Sequence, residues 1–160
     1  MPTTPNPFTR KPPTAPTVAQ LIRFGAREFD AAALTYGHGT LDARDDAAAL
    51  VFHALGLDHA DAATAYTVKP GRPQVEQVLG LFAERLRRRV PVAYLMGRMW
   101  FAGLEFEVDP RVIVPRSPFA ELIARGFAPW IDPARVLRVV DLGTGSGCIA
   151  VACALRFPQA

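Results

Sequence analysis

Apolar positions spaced three and four apart govern the first half of the chain. Val18, Leu21, Ile22 and Phe29 repeat at helical spacing behind Thr17 and Gln20, which form a capping-box pattern. A second stripe follows Asp42, with Ala47, Leu50, Val51, Ala54 and Leu55 on one face. A third opens at Pro73 and carries Val75, Val78, Leu79, Phe82 and Leu86. Three amphipathic helices joined by glycine-bearing loops predict a small helical module. Ahead of them, residues 1–16 hold Pro2, Pro5, Pro7, Pro12, Pro13 and Pro16, which suit neither helix nor ladder. That segment is expected to be a disordered leader.

The pattern changes after Pro91. Pro91 to Leu95 predicts one helical turn closed by Gly97. Leu104, Phe106 and Val108 then alternate with Glu105, Glu107 and Asp109, the period of a half-buried strand. Met99 to Phe101 is its expected partner across Ala102 and Gly103, making a hairpin. Val112 to Val114 reads as a short strand stopped by Pro115, and Ser117 followed by Pro118 reads as the start of a helix through Phe119, Leu122 and Ile123. Pro129, Trp130 and Pro133 make a loop. Val136 to Leu142 is a nearly continuous apolar run, expected to be a buried strand, and Ile149, Val151, Ala152 and Leu155 predict a helix after it.

Composition narrows the class. Half of the 160 residues are hydrophobic and 21% are charged, which excludes a fully disordered chain. The longest apolar run, Cys148 to Leu155, is far short of the roughly 20 residues that span a bilayer. No signal-peptide pattern is visible. The net charge is +3, and Arg10 and Lys11 of the leader account for most of it, so no nucleic-acid-wrapping surface is indicated and no DNA partner is expected. Cys148 and Cys153 make no disulfide framework and no CxxC motif; both read as small buried hydrophobes in a reducing cytoplasm. His38, His53 and His59 lack partners at ligand spacing, so no metal site is expected. Arg85, Arg87, Arg88 and Arg89 close the third helix. Cations there favour the helix dipole; a contact with RNA is the alternative, and no interleaved aromatic residue supports it.

The sequence Asp141-Leu-Gly143-Thr-Gly145-Ser-Gly147 lies between the predicted strand and the last helix. Glycines let the chain turn tightly and let a ligand approach bare backbone. The helix beyond offers unpaired amides and a positive dipole end to an anionic group. A P-loop needs a lysine that is absent. A dinucleotide fingerprint needs a third glycine where Cys148 stands, which disfavours a nicotinamide oxidoreductase. An acid two residues before G-x-G-x-G instead resembles motif I of S-adenosylmethionine-dependent methyltransferases.

Longer stretches sharpen the resemblance. Pro91-Val-Ala-Tyr-Leu-Met-Gly97, Trp100-Phe-Ala-Gly103, Phe106-Glu-Val-Asp109 and Val112-Ile-Val-Pro-Arg-Ser-Pro118 precede Asp141-Leu-Gly-Thr-Gly-Ser-Gly-Cys-Ile-Ala150. Together they are similar to the protein-glutamine methyltransferases, from about the first helix onward and most strongly over residues 90–155. Pro115-Arg-Ser-Pro-Phe-Ala-Glu-Leu122 resembles the branch whose substrate is large-subunit ribosomal protein L-three more than the release-factor branch, which usually has Pro-Arg-Pro and an acid-Thr-Glu stretch.

The resemblance implies an α plus α/β organisation. A leader at 1–16 precedes a helical substrate-recognition module at 17–98 and a hairpin linker at 99–114. The start of a Rossmann-like methyltransferase domain follows at 115–160, incomplete because the family's Asn-Pro-Pro-Tyr motif and ribose-binding acid are not in this sequence. It implies S-adenosylmethionine as cofactor, held by Asp141, Gly143, Thr144, Gly145, Ser146 and Gly147. Arg116 joins them because it stands where the family lines its cofactor pocket. No residue present is catalytic by that comparison. The expectation is an N-terminal fragment without methyltransferase activity, with weak cofactor affinity and partly bare apolar faces. A helical module that binds a protein without catalysis is the reading from another class.

Overall fold

The computed structural model describes residues 6–58 and 62–160; His59 and the first five residues of the leader lie outside them. The chain divides into two compact units between Met96 and Gly97.

Unit 1 is helical. Helix α1 (Val18–Ala31) starts on the expected capping box, with the Thr17 side chain accepting from Gln20 N–H and the Gln20 side chain accepting from Thr17 N–H. Two of its first-turn amides, on Val18 and Ala19, donate to the carbonyls of Val68 and Tyr66, so its N-terminal end needs no water. Helix α2 (Ala43–Leu55) is capped by Asp42 and ended by Gly56 in the left-handed conformation. A short α3 (Ala62–Ala65) was not legible in the pattern. Helix α4 (Arg72–Arg88) and the single turn α5 (Val92–Met96) complete the unit. The core joins Val18, Leu21, Ile22 and Phe29 of α1 with Ala47, Leu50, Val51 and Phe52 of α2, Val78 and Phe82 of α4, and Val92.

Three charged side chains are buried in that core: Glu28, Asp46 and Arg85. Glu28 draws Thr9 and Arg10 of the proline-rich segment onto unit 1. A carboxylate on the apolar face of α1 requires partners. Thr9 supplies its N–H and hydroxyl and Arg10 its guanidinium, at 3.2 Å. Phe8 adds an edge-to-face contact with Phe24, at a ring separation of 5.3 Å. Prolines forbid regular structure in this segment but do not prevent it from packing.

The arginines that close α4 are largely engaged within unit 1. Arg85 is buried on Asp46 and also donates to Thr35 O, while Arg87 pairs with Glu84. Arg89 donates to the carbonyls of Ala32 and Ala33 at 3.1 and 2.8 Å. These last two carbonyls lie at the C-terminal end of α1, where such groups lack helical partners. The cluster therefore caps a neighbouring helix through Arg89 as well as sitting at the end of its own.

Unit 2 opens with the hairpin. Strands β1 (Arg98–Phe101) and β2 (Leu104–Glu107) pair antiparallel with Phe101 opposite Leu104 and Arg98 opposite Glu107. The two turn residues, Ala102 and Gly103, both have positive φ, at 50° and 79°, as a two-residue turn matched to strand twist requires. Helix α6 (Phe119–Ala124) begins beside Ser117, whose hydroxyl accepts from Phe119 N–H. Helix α7 (Cys148–Arg156) follows the glycine-rich turn. Phe101, Ile123, Cys148, Ala152, Cys153 and Phe157 form a second core, with both cysteines as buried free thiols.

Two predicted strands are not formed. Val112 to Val114 makes no ladder; Val112 N–H instead closes a turn onto Asp109 O. Val136 to Leu142 is in neither helix nor ladder, and Leu137, Val140 and Leu142 are 74%, 71% and 89% exposed. A strand of a parallel sheet makes its hydrogen bonds only to neighbouring strands. Among the described residues the only sheet is the β1–β2 hairpin, so this run has no ladder to enter. The observed class is thus helices with a two-stranded antiparallel sheet. No helix among the described residues is long and apolar enough to cross a membrane.

Candidate functional site

The glycine-rich turn has the backbone its composition predicts. Gly143, Gly145 and Gly147 sit at φ of 72°, 57° and 78°, in the left-handed region where a side chain is strained. Steric crowding is not the reason for glycine here. A Cβ at Gly143 or Gly147 would meet open space, and one at Gly145 would make only an ordinary contact with Ile113. Conformation, not room, selects the three glycines. Gly147 N–H donates to Thr144 O at 2.8 Å, closing the turn, and Gly147 then caps α7 without any side-chain hydrogen bond. The helix begins at Cys148, directly after the third glycine.

The predicted site residues separate into groups. Gly145 and Ser146 line a cleft of about 610 Å³ with Gly97, Glu107, Val108, Asp109, Arg111 and Val112. The Ser146 hydroxyl is buried and has no hydrogen-bond partner. Asp141 lies elsewhere: with Arg138, Val139, Ala150 and Cys153 it lines a smaller cleft of about 190 Å³. Its carboxylate accepts from the Thr144 hydroxyl at 3.0 Å, so Thr144 ties the acid to the turn. Gly143, Thr144, Gly147 and Arg116 line neither cleft, and Arg116 is exposed. Burial first, and then the Asp141 charge, push the Cys153 thiol above its ordinary range, which makes it a poor nucleophile. Among the described residues no group of three or more metal-ligating side chains could hold an ion.

The wall formed by residues 107–112 was missed as part of a site. Its signal was visible, since Asp109 follows the strand alternation and Arg111 stands two residues on, but alternation alone assigns such residues to a solvated strand face. Here the Arg111 guanidinium grips the Asp109 carboxylate, with side-chain and backbone hydrogen bonds holding that carboxyl at about 2. Titration of Asp109 by NMR should therefore turn near pH 2, and Arg111→Ala should return it toward the ordinary 3.8. Since the folded-state value is lowered, stability from this pair is complete above 3.8 and is lost as pH falls toward 2. A midpoint near 3.8 in the unaltered chain would contradict the pairing.

The left-handed glycine turn thus opens helix α7 and, through Gly145 and Ser146, borders a cleft. Comparison with known proteins goes further. No family model matches the chain. Over 137 residues it is 51% identical to the ribosomal protein uL3 glutamine methyltransferase of Xanthomonas campestris pv. campestris, covering 85% of this chain and 44% of that protein. The protein of the same name from Xylella fastidiosa strain Temecula1 is 52% identical over the same shares. That from Bordetella pertussis is 46% identical over 147 residues, or 90% of this chain and 49% of the relative. The chain is a homologue of the ribosomal protein uL3 glutamine methyltransferases over most of its own length and less than half of theirs.

Proposed function

We propose that this chain is part of a methyltransferase that transfers a methyl group from S-adenosylmethionine to the side-chain amide nitrogen of a glutamine in a large-subunit ribosomal protein. The observation that carries this reading is the 46–52% identity to relatives bearing that name, over 85–90% of the chain. The left-handed turn at Gly143, Gly145 and Gly147 supports it. In this reading residues 115–160 open a Rossmann-like domain, and unit 1 is the module that recognises the substrate protein.

S-adenosylmethionine, when bound, supplies an electrophilic methyl group. The residues present fit its polar end. Bare backbone at the three glycines admits close approach, the uncapped start of α7 offers amides to a carboxylate, and the Ser146 hydroxyl is a buried group in need of a partner. Asp141 is the acid of the turn, oriented by Thr144. An amide nitrogen is a weak nucleophile because its lone pair is delocalised into the carbonyl. Catalysis thus rests on orienting that nitrogen and stabilising charge on the amide oxygen. No residue of this chain is assigned that role. Arg116 stays a cofactor contact by resemblance.

A chimera tests the proposal. The whole chain, joined to the part of the Xanthomonas relative that it does not cover, should methylate the ribosomal protein and leave a peptide chain release factor unmodified. Methylation of the release factor instead would assign the other branch. A folded chimera inactive on both substrates, beside an active parent, would contradict the reading and favour a non-catalytic binding module.

A further inference from the structure

Glu28 is chemically out of place on its helix. It is 1% exposed, in the buried row of α1 with Leu21, Ile22, Phe24 and Phe29. A carboxylate there carries a desolvation cost that an apolar side chain would not, so stability alone does not account for it. Its partners come from residues 9 and 10. Thr9 gives it a backbone N–H and a hydroxyl, the latter 3.1 and 3.0 Å from its two oxygens, and Arg10 gives it a guanidinium. Phe8 sets its ring edge-to-face on Phe24, one turn back along the same helix. The hold is narrow. Among the described residues no backbone–backbone hydrogen bond joins residues 6–16 to the rest of unit 1. Residues 13–15 border a cleft of about 440 Å³ beside the start of α4 rather than closing on it. The Arg10 side chain is 53% exposed, so water competes for the cation, while the carboxylate beneath it is covered.

We propose that residues 6–11 are an autoinhibitory strap, which a basic segment of the substrate ribosomal protein must displace from Phe24 and Glu28 in order to dock on α1. The strap has the chemistry of that occupant. Phe8-Thr-Arg-Lys11 carries two cations behind an aromatic ring, and residues 1–16 hold no acid. A ribosomal protein binds RNA through lysine- and arginine-rich stretches of the same kind. A covered carboxylate beside an aromatic ring offers such a stretch a charge-assisted hydrogen bond and an apolar contact. Opening of the strap is a local equilibrium. A partner that binds only the open form has its apparent affinity reduced by the open fraction. The proposal rests on the reading of unit 1 as the module that recognises the substrate protein.

Hydrogen exchange of the Thr9 amide, with calorimetry against purified ribosomal protein uL3, tests it. In the unaltered chain this amide should exchange at least about tenfold more slowly than in a free peptide of residues 6–16, as an open fraction of about 10% or less requires. Phe8→Ser with Thr9→Pro removes the ring, the N–H and the hydroxyl and leaves the charge unchanged. This variant should bind the ribosomal protein tighter by the same factor, at least about tenfold, with its helical circular dichroism unchanged. If the double variant fails to fold, Thr9→Pro alone carries the comparison. Glu28→Gln opens the strap but also removes the docking charge, so it should gain less; a gain as large as the double variant's would overturn this site. Equal or weaker binding by the strap variants, or a Thr9 amide that exchanges freely in the unaltered chain, would overturn the strap alone. No binding by any form would contradict the recognition reading of unit 1 and take the strap with it.

Discussion

Asp46→Ala should destabilise unit 1 by about 3–5 kcal/mol, the usual cost of stranding one member of a buried ion pair. Asp46 and Arg85 are each 1% exposed, and Nε of Arg85 donates to Asp46 Oδ2 at 2.8 Å. The other groups around the pair are already committed. Thr40 donates its hydroxyl to the second Asp46 oxygen, Arg85 donates to Thr35 O at 2.9 Å, and the Tyr36 ring lies 6.0 Å from the guanidinium. Without Asp46 the guanidinium remains buried with only a carbonyl and a ring beside it. The double variant Asp46→Ala with Arg85→Met should recover most of the loss, because an apolar replacement removes the stranded charge. Chemical denaturation measures both. A cost below about 1 kcal/mol for the single variant would place the pair among exposed bridges, against its burial.

Gly25→Val should cost about 3 kcal/mol, near the top of the range for overpacking a core. A Cβ at this position would lie 2.5 and 2.7 Å from Cζ and Cε2 of Phe82 and 3.0 Å from Cβ of Ala47. Phe82 is fully buried and held edge-to-face against Phe29 at 5.3 Å, so its ring has little room to retreat. Gly25 is the place where α1 lets α2 and α4 approach. Gly25→Ala should gain about 1 kcal/mol of helix propensity and lose at least as much to the same contacts. Pairing Gly25→Val with Phe82→Leu should relieve part of the strain, whereas a stabilising effect of Gly25→Val alone would contradict this packing.

These two positions also show how far the amino-acid pattern reaches. Helical periodicity located α1, α2 and α4, and Thr17, Asp42 and Ser117 marked starts within a residue or so, because both signals are local. Glu28, Asp46 and Arg85 were illegible as core residues. A charged side chain reads as solvent-facing unless its partner is known, and Arg85 lies 39 positions from Asp46 in sequence. The contacts of Phe8, Thr9 and Arg10 were illegible for the same reason: prolines are a local signal, but Glu28 and Phe24 lie in another element. Val136 to Leu142 failed differently. Its apolar run describes a strand buried between layers, and burial depends on neighbouring strands that the described residues do not supply. At the turn, three left-handed glycines were legible from composition. The 107–112 wall, and the separation of Asp141 from Gly145 and Ser146 into two clefts, required three dimensions.

If the turn from Asp141 to Gly147 binds the cofactor, as proposed, a titration of the ¹⁵N-labelled chain with S-adenosylmethionine will show it most directly. Amide shifts should move for residues of the turn and the first turn of α7, with an affinity of the order of a millimolar, because only a few polar groups of a closed pocket are present. Gly145→Val, which forces a β-branched residue to φ 57°, should abolish those shifts while leaving the resonances of unit 1 unmoved. Shifts confined to other residues, or none at several millimolar, would contradict the assignment of this turn.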